Sequence, residues 1–566
     1  MIVLAVVAGA GAWVLTQAWH VREELSAVPA LGDDLVSAVG SGDTAAARTA
    51  LAGIAERTGA ASDAADGPLW RAFEAVPWVG AQLSALRTVA DESAAVSAGG
   101  VDPLLDAADG MGAGLDPAAL ADAQEPLAAA AQVWAQADAA VEAVDVGALL
   151  PQLADGVARV RDVLHSGASA VDGLARAAAV LPGMLGEESP RDILVMLQNP
   201  AEARTGGGIT GAFVELRADR GSISLVRQAD SSLFPWRSSP VADVPQTTTA
   251  LYGDVVGRYV QNATMTSDFS VSAQLASAWW QSAYGTTPDA VIAIDPLVLR
   301  ALLSVHGPVA LADGSTLSSD DVVDRLLVQP YLTLAPAEQT AYLEQVTSSV
   351  FGALTSDIRP IEWVKALAPA VAEGRVSLWS ADPAEQAAID GSAVGGMAER
   401  VDAAGDAGFG LYLNDATGGK MDSYLSVGVA SGFASCADAD GTTAIVRVTL
   451  TSTAPADATG WPESMTGGGL FGTAIGDIGT LVTVSAPPGA AFGGVTGEKG
   501  AELSANSVDG ARPSTAVRVN VSPGESETVE FRFVLPSRPA SDPTIVHTPW
   551  LSEITQSTLT EGDACT

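Results

Sequence analysis

The chain has 566 residues, more than one hydrophobic core usually serves, so two or three domains are expected. Its 28 Lys and Arg against 67 Asp and Glu leave a net charge of -39. That field repels phosphate backbones and argues against nucleic acid as a partner, and the apolar share of 48% excludes wholesale disorder.

The first element is an uncharged run from Ile2 to Trp19. Eighteen helical residues span about 27 Å, close to the hydrocarbon thickness of a bilayer. The run therefore predicts a transmembrane anchor over residues 1–20, with cleavage near Ala10 or Ala12 as the competing reading and a buried core helix, disfavoured by the extreme N-terminal position, as the bland one. Everything after residue 20 would then lie on one side of the membrane.

Residues 21–189 are rich in Ala, Leu, Val and Asp at helical spacing, and read as a helical stalk. Leu149, Leu153, Val157, Val160, Leu164, Val171 and Leu174 form its clearest apolar stripe, a packing seam rather than a ligand site. The pattern changes at Ser189–Pro190. Ile193–Leu197 and Ala290–Ile294 are short continuous apolar runs, as in strands buried on both faces. Asp219-Arg220-Gly221 between two strand-like segments reads as a hairpin turn. Helical segments alternate with these strands, so residues 190–418 are expected to form an α/β domain. From residue 419 alternating strands separated by Gly, Pro and Asp turns predict an immunoglobulin-like β-sandwich to residue 566. The expected fold is thus multidomain α+β.

Three groups of residues carry candidate chemistry. The loop after the first buried strand places Glu202 and Arg204 beside Gly206, Gly207 and Gly208. Glycine amides can form an anion nest, and Arg adds a forked cation that Glu202 would orient. A tight turn held by an Arg–Glu pair is the bland alternative. A Rossmann reading of Gly206, Gly208 and Gly211 fails, because strand-like residues follow where a helix should begin. Asp230 and Asp268 sit at strand ends or loop starts, where carboxylates either bind a divalent cation such as magnesium or cap a helix; no other cofactor is implied. Cys436 and Cys565 would pair as a disulfide in an oxidising compartment, or remain two thiols. No H-E-x-x-H, G-x-S-x-G or S-x-x-K arrangement is present.

An ordered set of segments then resembles a known family. It comprises Leu69-Trp70-Arg71, Val76-Pro77-Trp78-Val79-Gly80, Leu197 through Gly211, Asp289 through Pro296, His306-Gly307-Pro308-Val309, Leu413-Asn414 and Lys420 through Tyr424. Together they resemble the bacterial envelope family catalogued as domain of unknown function 4012, across nearly the whole chain. The resemblance implies one N-terminal membrane helix, a large outer region and no established activity. A fainter similarity is to the LytR-CpsA-Psr phosphotransferases, in the order Ala290–Ile294, Leu297–Leu303, Pro308–Leu311; their Arg-Asp signature is not reproduced around Arg204. That likeness would place a pyrophosphate on Arg204 and the Gly206–Gly208 amides.

The expectation is a single-pass protein of the cell membrane, its bulk extracytoplasmic, that binds a surface glycopolymer or assists its export or attachment. Its partners would be the membrane, through the first helix, and a polyprenyl-linked glycan or cell-wall polymer. The alternatives are a polyprenyl-pyrophosphate glycopolymer phosphotransferase and a structural or adhesive scaffold without a ligand site. Whether the protein is an enzyme stays open at this point.

Overall fold

The computed structural model describes residues 2–41, 43–111, 116–434, 441–499 and 503–560. They form two compact units, Met1–Gly183 and Met184–Thr566.

The alanine-rich sequence of the first unit makes helices α1 (Ile2–Ser41), α2 (Thr44–Ala65), α3 (Pro68–Glu74), α4 (Val79–Ala95), α5 (Asp102–Met111), α6 (Pro117–Glu142) and α7 (Pro151–Met184). Trp70 is fully buried among Val14, Val21, Ala61 and Leu83. A neighbouring cluster joins Val89, Ala137, Val141, Val157 and Leu164. Val157 and Leu164, seven residues apart in the predicted stripe, thus face α4 and α6. Leu174, at the end of that stripe, is exposed.

The expected membrane anchor is corrected here. Among the described residues no helix is long and apolar enough to cross a membrane. The α1 helix runs on without a break through Ser41. From Val14 onward its apolar residues Val14, Ala18, Val21 and Leu25 recur at steps of four, three and four, and they meet α2, α3 and α4. That spacing builds a packing seam, in which an apolar side chain is covered by protein. Single-pass anchoring and the cell-membrane address therefore lose their support. Cys436 and Cys565, the expected disulfide pair, both lie outside the described residues.

The second unit opens with β1 (Arg191–Asn199), β2 (Ile209–Asp219) and β3 (Ser222–Asp230). Asp219 pairs with Ser222 across a two-residue turn in which Arg220 and Gly221 have φ of 49° and 80°. Two successive positive φ values match the twist of a tight hairpin, and glycine accepts the second without strain. Helices α8 (Gln246–Tyr252), α9 (Val255–Arg258) and α10 (Phe269–Tyr284) lead to β4 (Ala290–Ile294). There follow α11 (Pro296–His306), β5 (Val309–Ala310), β6 (Thr316–Leu317), α12 (Val322–Leu327), α13 (Gln329–Thr333), α14 (Pro336–Ser356), α15 (Pro360–Ala372) and β7 (Ser377–Ser380). The strands assemble in the order β3-β2-β1-β4-β7, with β1 and β4 parallel and the other neighbours antiparallel.

Strand alternation gives this sheet two different faces. Leu194, Met196, Phe213, Ala229, Val291 and Ala293 point to one side, where they pack on Trp279, Trp280 and the rest of the α8–α10 layer. Val195, Leu197, Val214 and Ile294 point to the other, toward α11–α14.

After α16 (Pro383–Ile389) and α17 (Met397–Ala403) the chain enters two five-stranded sheets. One is built from β8 (Gly408–Asp415), β11 (Ile478–Ser485), β13 (Leu503–Asp509), β14 (Arg512–Val521) and β16 (Thr544–His547), in the order β13-β14-β11-β8-β16. The other holds β9 (Leu425–Ala434), β10 (Thr442–Ser452), β12 (Ala491–Gly497), β15 (Ser526–Leu535) and β17 (Thr555–Thr558), in the order β12-β15-β10-β9-β17. A short helix, α18 (Glu463–Thr466), lies between β10 and β11. The sheets share a core that includes Phe409, Leu411, Phe433, Val446, Val482, Phe531 and Phe533. Strand β8, assigned from sequence to the α/β domain, pairs with β11 and β16 and so belongs to the sandwich. The fold is α+β, with a helical N-terminal unit followed by several sheets.

Candidate functional site

The Arg/Gly loop leaves the end of β1 and is buried. Ala201, Ala203 and Thr205 have no exposed surface, and Ala203 is part of the sandwich core. The loop backbone is stitched to β8 and the turn after it. Ala203 N donates to Asp422 Oδ2 at 2.8 Å, Asp415 N donates to Ala203 O at 2.8 Å, and Thr205 N donates to Asn414 Oδ1 at 3.0 Å. Lys420 Nζ meets Glu202 Oε2 at 2.8 Å and lies 4.5 Å from the centre of the Tyr331 ring.

Arg204 is almost fully buried and its donors are engaged. Nε and Nη2 donate to Asn262 Oδ1 at 3.1 and 3.0 Å, while Nη1 donates to Ala203 O at 2.7 Å and lies 3.9 Å from Asp415 Oδ2. Gly206 N donates to Thr264 O and Gly207 N to Arg204 O. A Cβ on Gly208 would come within 2.3 Å of Asn199 O, so the loop needs glycine there for close approach of backbone. In this arrangement the guanidinium, its glutamate and two of the three glycine amides bind protein. Glu202 pairs with Lys420 rather than with Arg204.

The buried acids respond electrostatically. Burial, reinforced by nearby Glu202, pushes the Asp415 carboxyl up to about 6 although Arg204 opposes the shift. Asp422 rises well above the carboxylate range, first through burial and then through Asp415. Burial works against the Lys420 ammonium, but Glu202 and Tyr331 outweigh it and raise its pKa.

The two aspartates read as metal ligands or caps are placed at helix starts. Asp230 Oδ1 accepts from Ser232 N at 2.8 Å, and Asp268 Oδ1 accepts from Ser270 N and Val271 N at the start of α10. Among the described residues no group of three or more His, Cys, Asp or Glu is placed to hold a metal ion. Asp230 ends β3, whereas Asp268 forms an isolated bridge with Gly396.

The open space of the second unit lies elsewhere. A cleft of about 300 Å³ separates the second face of the first sheet from α11–α14. Val195, Leu197, Val214, Leu216 and Ile294 line its floor. Leu299, Leu302, Leu326, Leu343, Val350 and Phe351 line its roof. Gln228 Nε2 donates to Ser348 Oγ at 2.7 Å and ties β3 to α14 across one side. Polar groups are the minority. Gln198, Asn199, Gln228, Asp230, Asp295 and Tyr331 come from the carboxyl ends of β1, β3 and β4 and from α13, with Thr340, Glu344 and Thr347 on α14. Ligands of open α/β sheets commonly bind outside strand carboxyl ends. Asn199 Nδ2 donates to the Tyr331 hydroxyl at 3.4 Å, so the cleft touches the buried loop through Tyr331 and Lys420.

A second depression of about 340 Å³ lies beside α11 and α15, around Arg300, Asp320, Glu373 and Arg375. Its Arg375 is held internally, by Asp295 Oδ2 at 2.7 Å, Trp550 O and Glu373. The cleft is the better candidate because its lining is mostly aliphatic and continuous, as in small-molecule sites generally. Sequence reasoning did not single it out. Asp230 of its lining was already a candidate in the sequence, at a strand end; the i, i+4 series Val346, Val350, Leu354 with Leu343 and Phe351 alongside also reads as an ordinary packing stripe.

The segment that holds the buried loop, β1–β4 and α11–α13 has known relatives. Residues 188–331 match the family model described as "Protein of unknown function (DUF4012)". The family resemblance is thereby shown over that segment. The DUF4012 segment stops at Tyr331, so it includes the floor of the cleft and part of its roof, while α14 follows it. No curated protein matches the chain. Among solved structures, protein gbs0355 from Streptococcus agalactiae is similar at 11% identity, over 37% of this chain and 74% of that one. Its TM-score of 0.24 carries no structural argument. None of these matches supports the similarity to LytR-CpsA-Psr phosphotransferases.

Proposed function

We propose that the second unit is a binding module for a small amphipathic molecule, whose apolar chain lies in the cleft between the first sheet and α11–α14. The observation that carries the reading is the cleft itself: about 300 Å³, walled by aliphatic side chains, with polar groups gathered near strand carboxyl ends. Apolar surface left uncovered at this scale costs about 25 cal/mol per Å², so an apolar ligand gains what the protein's own side chains leave ungained. A lipid-carried glycan of the cell surface is one ligand of this class. Binding is the role inferred, from the mostly aliphatic walls of the cleft. The phosphotransferase alternative would route a pyrophosphate to Arg204, whose donors instead bind Asn262 and Ala203.

The test is binding of 1-monodecanoylglycerol to the full chain, followed by displacement of an environment-sensitive fluorescent alkyl probe. Ala212 lines the cleft from β2, so Ala212→Phe fills it. The variant should lose at least tenfold in affinity while its thermal midpoint stays within a few degrees of wild type. Unchanged binding in a folded Ala212→Phe protein would remove the cleft from the proposal.

A further inference from the structure

The reading that the cleft binds an amphiphile leaves its head group undefined, and the polar end of the cleft narrows it. The lining contains no Lys, Arg or His; its charged residues are Asp230, Asp295 and Glu344. Asp295 is buried and fully used. Its Oδ1 accepts from Leu297 N and Val298 N, and its Oδ2 from Arg375 at 2.7 Å. Asp230 differs. Its Oδ1 caps the turn after β3, and its Oδ2 has no hydrogen-bond partner among the described residues. Among the described residues the Tyr331 hydroxyl accepts one long bond, from Asn199 Nδ2 at 3.4 Å, and keeps its own proton to donate. Of the bases beside the lining, Arg375 is held by Asp295, and Lys420 packs on the Tyr331 ring with its ammonium bound by Glu202 at 2.8 Å. Glu344 is exposed, so it adds negative charge toward the rim without a paired cation.

An incoming head group therefore meets the half-buried Asp230 carboxylate, a phenol that can donate or accept, the amide of Gln198, whose Nε2 has no partner among the described residues, and no free cation. Bringing an anion into such a site sets like charges together with nothing to offset their desolvation. We infer that the cleft selects a hydroxyl-bearing, uncharged head, as in a long-chain alcohol or acylglycerol, and rejects carboxylate and phosphate heads on the same chain. The inference rests on the binding reading and goes past it, because it assigns to Asp230 the discrimination between head groups. It also sets the pyrophosphate end of a lipid-linked precursor outside this cleft.

The experiment compares three ten-carbon probes at pH 7.5 on the full chain: 1-monodecanoylglycerol, decanoate and decyl phosphate. The glycerol ester should bind at least tenfold more tightly than either anion. Asp230→Asn keeps a side-chain oxygen to cap Ser232 and removes the charge; it should narrow that gap at least threefold, mainly by improved binding of the anions. Circular dichroism checks that the variant folds. Anions that bind as tightly as the ester overturn the head-group inference and leave the apolar cleft standing. An unchanged gap in Asp230→Asn overturns the role given to that residue. Failure of all three probes to bind overturns the binding reading itself, and the inference with it.

Discussion

The Arg/Gly loop and the cleft lie next to each other in the second unit and are built in opposite ways. In the loop nearly every polar group has a protein partner: Arg204 with Asn262 and Ala203, Glu202 with Lys420, Ala203 N with Asp422. In the cleft the walls are aliphatic, and Asp230 keeps an unengaged oxygen. Residues that look chemical in sequence thus serve as a joint between the first sheet and the sandwich. The space for a ligand is walled mostly by aliphatic residues with no chemical signature, Asp230 being the one lining residue already a candidate in the sequence. A buried charge must be matched by the protein itself, because leaving it unmatched costs several kcal/mol, and a matched charge has little left for a ligand.

The comparison can be broken most directly at Arg204. Arg204→Ala would leave Asn262 and the buried Asp415 without their cationic partner, and removal of one member of a buried pair costs about 3–5 kcal/mol. Urea unfolding should show that loss, with monodecanoylglycerol affinity little changed wherever the variant remains folded. A variant of wild-type stability that had lost affinity for an anionic ligand would reverse the assignment of loop and cleft. Gly208→Ala should come next, at about 1–3 kcal/mol of stability, because the added Cβ faces the immovable carbonyl of Asn199 at 2.3 Å. The same unfolding assay reads it.

The cleft is sharpened by chain length. Each buried methylene is worth about 0.8 kcal/mol, so monoacylglycerols from six to ten carbons should tighten about fourfold per carbon. A flat series measured by displacement would show that the chain does not enter. A pH dependence is also expected in the loop. The folded state holds the Asp415 proton up to about 6, whereas an unfolded aspartate releases it near 4. Stability from this group is therefore fully present below about pH 4 and is lost as pH rises through about 6. Asp422 shifts in the same direction. The drop in thermal midpoint of wild type between pH 4.5 and 7 should exceed that of Asp415→Asn, in which the group cannot titrate. Equal drops would remove Asp415 as a cause.

Much of the local structure was legible from residue type and spacing. Asp219-Arg220-Gly221 makes its tight hairpin because the turn needs positive φ at adjacent positions. Asp268 caps α10, which was one of the two roles open to it in sequence. Ala290–Ile294 is a strand with apolar residues on both faces because helices cover both sides of its sheet. The first helix shows where such reading stopped. Its uncharged run suited a bilayer, yet Val14 and Val21 are covered by neighbouring helices, and hydropathy records that a side chain avoids water without recording what shields it. The partner of Glu202 was also beyond reach: Lys420 lies 218 positions along the chain, while Arg204 stands two residues away.

The sequence by itself determined the succession of helical, mixed and strand-rich regions, the hairpin, the caps and the kinship with DUF4012 over residues 188–331. These depend on neighbours a few residues apart, or on a pattern shared with relatives. Only the tertiary structure decided that Arg204 faces Asn262, that β8 joins the sandwich, and that side chains from β1–β4 and α11–α14 enclose a cleft. Each of these depends on which distant segments are brought into contact, and on whether a polar group still has capacity for a ligand once they are.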